Sequence, residues 1–148
     1  MVDLVQTIAD LGRANVPGDW NGSSMCRWMD DPAMGWKDLA VSEYYAHNIA
    51  SGFAMLRSGR YKYVYHTAAD KGHPAQQELY DLETDPGEFT NLAGQSQHQE
   101  AVRRMHAALV KELGEDPEDV ERRCRLDLAK GYDDGKSKKH NIKKGKRS

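Results

Sequence analysis

Cysteine is scarce in this chain. Only Cys26 and Cys124 occur among 148 residues, with no CxxC spacing and no flanking histidine pattern, so a zinc site of the ribbon or finger type has no support. Their spacing alone does not make a disulfide, which needs matched Cα positions and Cβ directions. Two free thiols fit a reducing compartment as well as a paired one fits an oxidising compartment, so the compartment stays open. Long apolar runs are missing too. No stretch approaches the ~20 residues of a membrane-spanning helix, and the mean hydropathy is −0.83. Val2 to Leu11 contains Asp3 and Asp10, so it reads as an amphipathic helix rather than an apolar leader. No internal repeat is visible. Asn21-Gly22-Ser23 has the form of a glycosylation sequon, a triplet that also arises by chance.

The net charge of −2 conceals an asymmetry. Residues 136–148 hold seven of the 21 basic side chains and no acid, which leaves the body with 14 against 23 acids, net −9. An acidic body therefore carries a basic tail. The tail reads first as a solvated, disordered end. Its second reading is an anion contact, but with no aromatic for base stacking it counts against nucleic acid.

Periodicity orders the rest. Val2, Val5, Ile8 and Leu11 recur at helical spacing, with Gly12 as the stop. Trp20, Trp28 and Trp36 are spaced by eight and read as anchors of irregular loops, or less readily as an aromatic ligand platform. Leu39–Tyr45, Phe53–Arg57, Arg60–His66 and Glu78–Leu82 are strand candidates. Ser58-Gly59 reads as a two-residue hairpin loop. Tyr61, Tyr63 and Tyr65 then share one face, and Lys62, Val64 and His66 the other. In Asp85-Pro86-Gly87, proline presets one turn dihedral and glycine permits positive φ. Ser96 to Leu113 is a long helix with Val102, Met105, Leu109 and Leu113 as its buried stripe, ended by Gly114. Asp116-Pro117 restarts a helix that runs to about Lys130, with a poor apolar stripe.

Strands followed by helices are the segregated order of an α+β fold. The expectation is a small four-stranded antiparallel sheet packed by a long C-terminal helix, with a helix at the N-terminus and a disordered basic tail.

Two stretches carry a resemblance. MLRSGRYKYVYH at residues 55–66, followed by ELYDLETDPGEFTNLA at residues 78–93, is similar to the C-terminal subdomain of type I sulfatases. That family writes R-x-G-R-Y-K-Y, then Q/E-L-Y/F-D-L-x-x-D-P-x-E-x-x-N-L-A, and every such position is filled. VDLVQTIADLG resembles the family's V-D-L-x-P-T-I/L-x-D-L-x-G helix, with Gln6 where the family usually has proline. The resemblance spans roughly residues 2–113.

It implies sulfuric ester hydrolysis in an arylsulfatase-like enzyme of the alkaline-phosphatase superfamily. That chemistry uses a formylglycine matured from C/S-x-P-x-R and a divalent cation such as calcium, held by Asp and Asn. Cys26 is followed by Arg27-Trp28-Met29-Asp30 and Cys124 by Arg125-Leu126-Asp127-Leu128, so neither fits the motif. Asp30-Asp31 and Asp133-Asp134 lack the wider ligand set and read as solvated turn residues. The expectation is therefore no catalytic residue, no metal ligand and no cofactor in this chain, and no activity by the chain alone.

Its implied partner is a sulfatase catalytic domain, and through the full enzyme a sulfated small molecule or glycan. Residues 1–24 would be the helix and loop joining that domain, 25–135 the C-terminal subdomain, and 136–148 the tail.

Ser42-Glu43-Tyr44-Tyr45-Ala46-His47-Asn48 resembles a family segment reading S-E-Y-H-x-H-G, which borders the active-site mouth. His47 is thus a candidate substrate-binding residue, or else a loop histidine capping a carbonyl. Arg57 is the second candidate; an arginine on such a sheet otherwise pairs with Glu43, Asp81 or Glu88. The competing reading of the whole chain is an independent α+β interaction module that binds an acidic partner through its edge strand and basic tail.

Overall fold

The computed structural model describes residues 2–45 and 50–131. The candidate at His47 and the basic tail therefore lie outside the described residues. The chain forms two compact units, Met1–Asp38 and Leu39–Ser148.

In the first unit, α1 spans Val2–Leu11 and α2 Cys26–Asp30, followed by a 3-10 turn at Pro32–Met34. The side of α1 that faces the following loop is polar. Thr7, only 3% exposed, donates its hydroxyl to Asp3 O at 2.6 Å and accepts from Met25 N at 2.9 Å. Asp3 Oδ1 accepts from Ser23 N, and Ser24 Oγ donates to Asp10 Oδ2, both at 2.7 Å. The hydrophobic side consequently points outward: Val2, Val5, Ile8 and Leu11 are 49–65% exposed. The left-handed residue after the helix is Arg13, at φ +52°, rather than Gly12. Trp28 lies within α2 and not in an irregular loop, and its ring sits 6.4 Å from that of Trp36.

The second unit holds β1 (Leu39–Tyr44), β2 (Phe53–Ser58), β3 (Tyr61–His66) and β4 (Gln76–Asp81). They form an antiparallel sheet in the order β1-β2-β3-β4. The hairpin loop is Gly59-Arg60, one residue later than the sequence reading, because Ser58 still pairs with Tyr61. Gly59 takes φ +57° there, as the first central residue of a type II′ turn requires.

Register then decides the faces. Val41, Leu56, Tyr63 and Leu79 align across the four strands. With Ala54 and Tyr65 on the same face, they meet Val102, Met105 and Leu109 of α3 (Gln99–Leu113) in one core. Leu56, Tyr63, Leu79 and Leu109 are fully buried, each contributing roughly 1.5–3 kcal/mol of transfer free energy. The segregated α+β architecture is as the sequence predicts.

Side chains trim the edges. Leu92 N donates to Leu79 O at 2.8 Å, and Asn91 Oδ1 accepts from Leu79 N at 3.1 Å. The free edge of β4 is thus taken up by its own chain, and β1 is the opposite edge of the sheet. In the Asp85-Pro86-Gly87 turn, the left-handed residue is Glu88 at φ +56° and not Gly87. The Phe89 ring packs over Gly87, where a Cβ would displace it; at 91% exposed, the ring is free to move aside.

Gly114 ends α3 in the left-handed conformation. Asp116 then caps α4 (Pro117–Lys130), accepting from Glu118 N at 2.9 Å. Pro117 and Val120 are buried, while Leu126 and Leu128 are exposed.

Candidate functional site

Antiparallel pairing puts the β1–β2 and β3–β4 connections at the same end of the sheet. Residues 45–52 form the first and residues 67–75 the second. The two are tied together by Thr67, which donates N–H at 2.9 Å and Oγ1–H at 3.1 Å to Gly52 O. Tyr45, just after β1, has a buried phenol oxygen with no hydrogen-bond partner among the described residues. Burial raises its pKa, and the carboxylates of Glu43 and Glu121 push the same way, so it stays a neutral phenol throughout the physiological range.

On the sheet face opposite α3, a row of rings and hydrogen-bonded side chains runs toward this end. Tyr44 and Phe53 rings are 6.3 Å apart, as are Phe53 and His66. His66 Nε2 lies 2.9 Å from Glu78 Oε1, and Glu78 Oε2 accepts from Tyr80 Oη at 2.9 Å. A polar cavity of about 240 Å³ opens beside them, lined by Ser51, His66, Thr67, His73, Gln76 and Glu78 among others. His73 is braced by Asp70 at 2.9 Å, and that contact, ahead of the backbone bond from Gly72, lowers the Asp70 pKa.

Helix α4 closes the end. Glu118 Oε1 accepts from Tyr65 Oη at 3.1 Å and from Ala68 N at 3.0 Å. That bond, after burial, raises the Tyr65 pKa to about 12. Glu121, 7% exposed, accepts from Gly52 N at 3.0 Å and from Arg125 Nε at 2.6 Å. These α4 contacts escape a sequence reading. The Glu121–Arg125 spacing of four marks only an ordinary helical ion pair, and nothing in it shows that the glutamate is buried against a loop.

Arg57, the other sequence candidate, is exposed on the face opposite α3. It lies four residues into β2, about 13 Å along the strand from Phe53 at ~3.3 Å per residue. The neighbouring cations carry structural pairs. Arg60 binds Asp81 through Nε at 2.8 Å and through Nη2, and reaches Glu83 at 3.2 Å. Lys62 pairs with Glu88 and lies 5.9 Å from the Tyr80 ring centre.

Among the described residues, no group of three or more His, Cys, Asp or Glu side chains could hold a metal ion. The Asp31 carboxylate caps the 3-10 turn by accepting from Ala33 N at 3.1 Å. With neither cysteine in C/S-x-P-x-R, the residues present do not fit the cation or the formylglycine of sulfatase chemistry. None of the described helices is long and apolar enough to cross a membrane.

Comparison with known proteins settles the lineage. Residues 1–115 match the family model for N-sulphoglucosamine sulphohydrolase, C-terminal. The chain belongs to this sulfatase C-terminal family. It is similar to arylsulfatase K of Mus musculus, 29% identical over 100 residues, covering 63% of this chain and 18% of that protein. It is also similar to the delta 4,5-hexuronate-2-O-sulfatase of Bacteroides thetaiotaomicron, 28% identical over 111 residues, covering 73% and 22%. The solved structure of a 2-O GAG sulfatase superposes with a TM-score of 0.58 at 27% identity, covering 88% of this chain and 26% of that one. The chain thus corresponds to about a fifth of the length of these sulfatases. The family match ends at residue 115, so the sheet and α3 lie inside it and α4 outside.

Proposed function

We propose that this chain is the C-terminal subdomain of a sulfatase and packs on a catalytic domain of that enzyme class. The observation that carries this reading is the inverted polarity of α1, whose hydrogen-bonding side is turned in while Val2, Val5, Ile8 and Leu11 face out. A helix in water gains nothing by exposing that stripe, and a contiguous apolar surface of this kind marks a partner. Residues 1–24 serve as the joining helix and loop, and residues 25–135 as the subdomain proper.

In the assembled enzyme, the connection after β1 borders the substrate mouth, with His47 as a hydrogen-bond donor to a sulfated sugar or aryl group. Arg57 is the second substrate contact in this reading. The names of the relatives, a hexuronate-2-O-sulfatase and a 2-O GAG sulfatase, favour a sulfated glycan. Formylglycine and a divalent cation would be supplied by the catalytic domain.

The test is reconstitution. The purified chain is assayed for hydrolysis of an aryl sulfate alone, then with a separately produced sulfatase catalytic domain carrying C/S-x-P-x-R. The expected result is no turnover alone, and a one-to-one complex whose turnover exceeds that of the catalytic domain by itself. Metal-dependent turnover by the chain alone, or no complex, overturns the reading.

A further inference from the structure

The end of the sheet that carries the β1–β2 connection is not held by the sheet alone. It is gripped by α4, which lies beyond the residues that match the family model. Glu121 and Arg125 make the grip.

Glu121 is a buried carboxylate that uses one oxygen for Gly52 N and the other for Arg125 Nε. Arg125 then gives three of its other four N–H donors to main-chain carbonyls of both connections. Nη1 donates to Ala69 O at 2.7 Å, and Nη2 to Ala50 O at 3.0 Å and Ala68 O at 3.2 Å. The planar guanidinium is suited to this, since its donors form a rigid fork. Gly52 fits the grip by its lack of a side chain: a Cβ there would collide with the Tyr45 ring and the Glu121 carboxylate.

Burying a carboxylate is costly unless it is paired and hydrogen-bonded. An apolar residue at position 121 would pack without that cost. What the charge adds is direction, because a carboxylate and a guanidinium fix the backbone groups they hold in both distance and angle.

We infer that Glu121 and Arg125 are positioning residues that fix residues 50–52 and 67–69 against α4, and so the place from which this end of the sheet meets substrate. The substrate part of this inference rests on the reading of the β1–β2 connection given above. The grip itself rests only on contacts within one compact unit.

Amide hydrogen exchange on the full chain tests the grip. In Glu121→Ala, exchange at Gly52 and Thr67 accelerates at least ten-fold, while Leu56, Tyr63 and Leu79 in the sheet keep their rates. Ala68, held by Glu118, is the internal control. It stays protected in Glu121→Ala and is released in Glu118→Ala. Glu121→Gln restores protection at Gly52, since the amide oxygen accepts the same bond. Unchanged exchange at Gly52, or a uniform acceleration across the sheet, overturns the inference.

Kinetics of the complex with the catalytic domain supply the second readout. Glu121→Ala raises KM for the sulfate ester several-fold at unchanged kcat. Loss of protection at Gly52 with an unchanged KM retains the grip, but rejects the substrate reading of the connection and with it the positioning role.

Discussion

Leu109 shows how much one side chain of α3 contributes to the core. It is fully buried against the sheet, so Leu109→Ala should cost about 2–5 kcal/mol, the range for truncating a buried leucine. Chemical denaturation measures this, and a change under about 0.5 kcal/mol would mean that the face is not core.

Asp81 shows a charge put to structural use. Its carboxylate binds the Arg60 guanidinium and also accepts from Glu83 N at 3.2 Å. The Arg60 bond is the main cause of its lowered pKa. A carboxylate whose folded pKa lies below its unfolded value stabilises the fold above the unfolded value of ~3.9. That stabilisation is lost as pH falls through the folded pKa. In acid titrations from pH 5 downward, Asp81→Asn should therefore start less stable and lose less stability than the wild type. Parallel curves would show that the pair contributes nothing to acid sensitivity.

At the scale of elements, α1 and α4 fail the amphipathic rule in different ways. The apolar stripe of α1 reads from sequence as a face for a catalytic domain, and the structure leaves it exposed because Thr7, Asp3 and Asp10 bind residues 23–25. Val5→Glu with Ile8→Glu should then suppress self-association and hydrophobic-dye binding by the full chain, with an unfolding midpoint close to wild type. Light scattering and dye fluorescence test this, and a large drop in stability would return the stripe to the core. The poor stripe of α4 is real. The helix docks through Pro117, Val120 and charged hydrogen bonds, with Leu126 and Leu128 left exposed.

At the scale of the whole molecule, the sheet end and the outward helix belong to one proposed assembly. In that assembly His47→Ala should lower kcat/KM about ten-fold, equivalent to ~1.4 kcal/mol, with the thermal midpoint of the chain unchanged. Wild-type kinetics in that variant would return His47 to a structural role.

The sheet, the α3 stripe, the caps at Gly114 and Asp116, and the family were all legible in the residue order, because periodicity, turn chemistry and local motifs are properties of neighbouring residues. The sequence reading missed the turn register by one residue at Ser58, and it placed the left-handed dihedral on Gly87 when Glu88 carries it. What needed the folded chain is that Thr7, Asp3 and Asp10 of α1 bind residues 23–25, and that Glu121 is a buried acceptor rather than a surface charge. Those facts depend on contacts such as Glu121 to Gly52, 69 residues apart. Hydrogen-bond partners that distant leave no period in the chain to read.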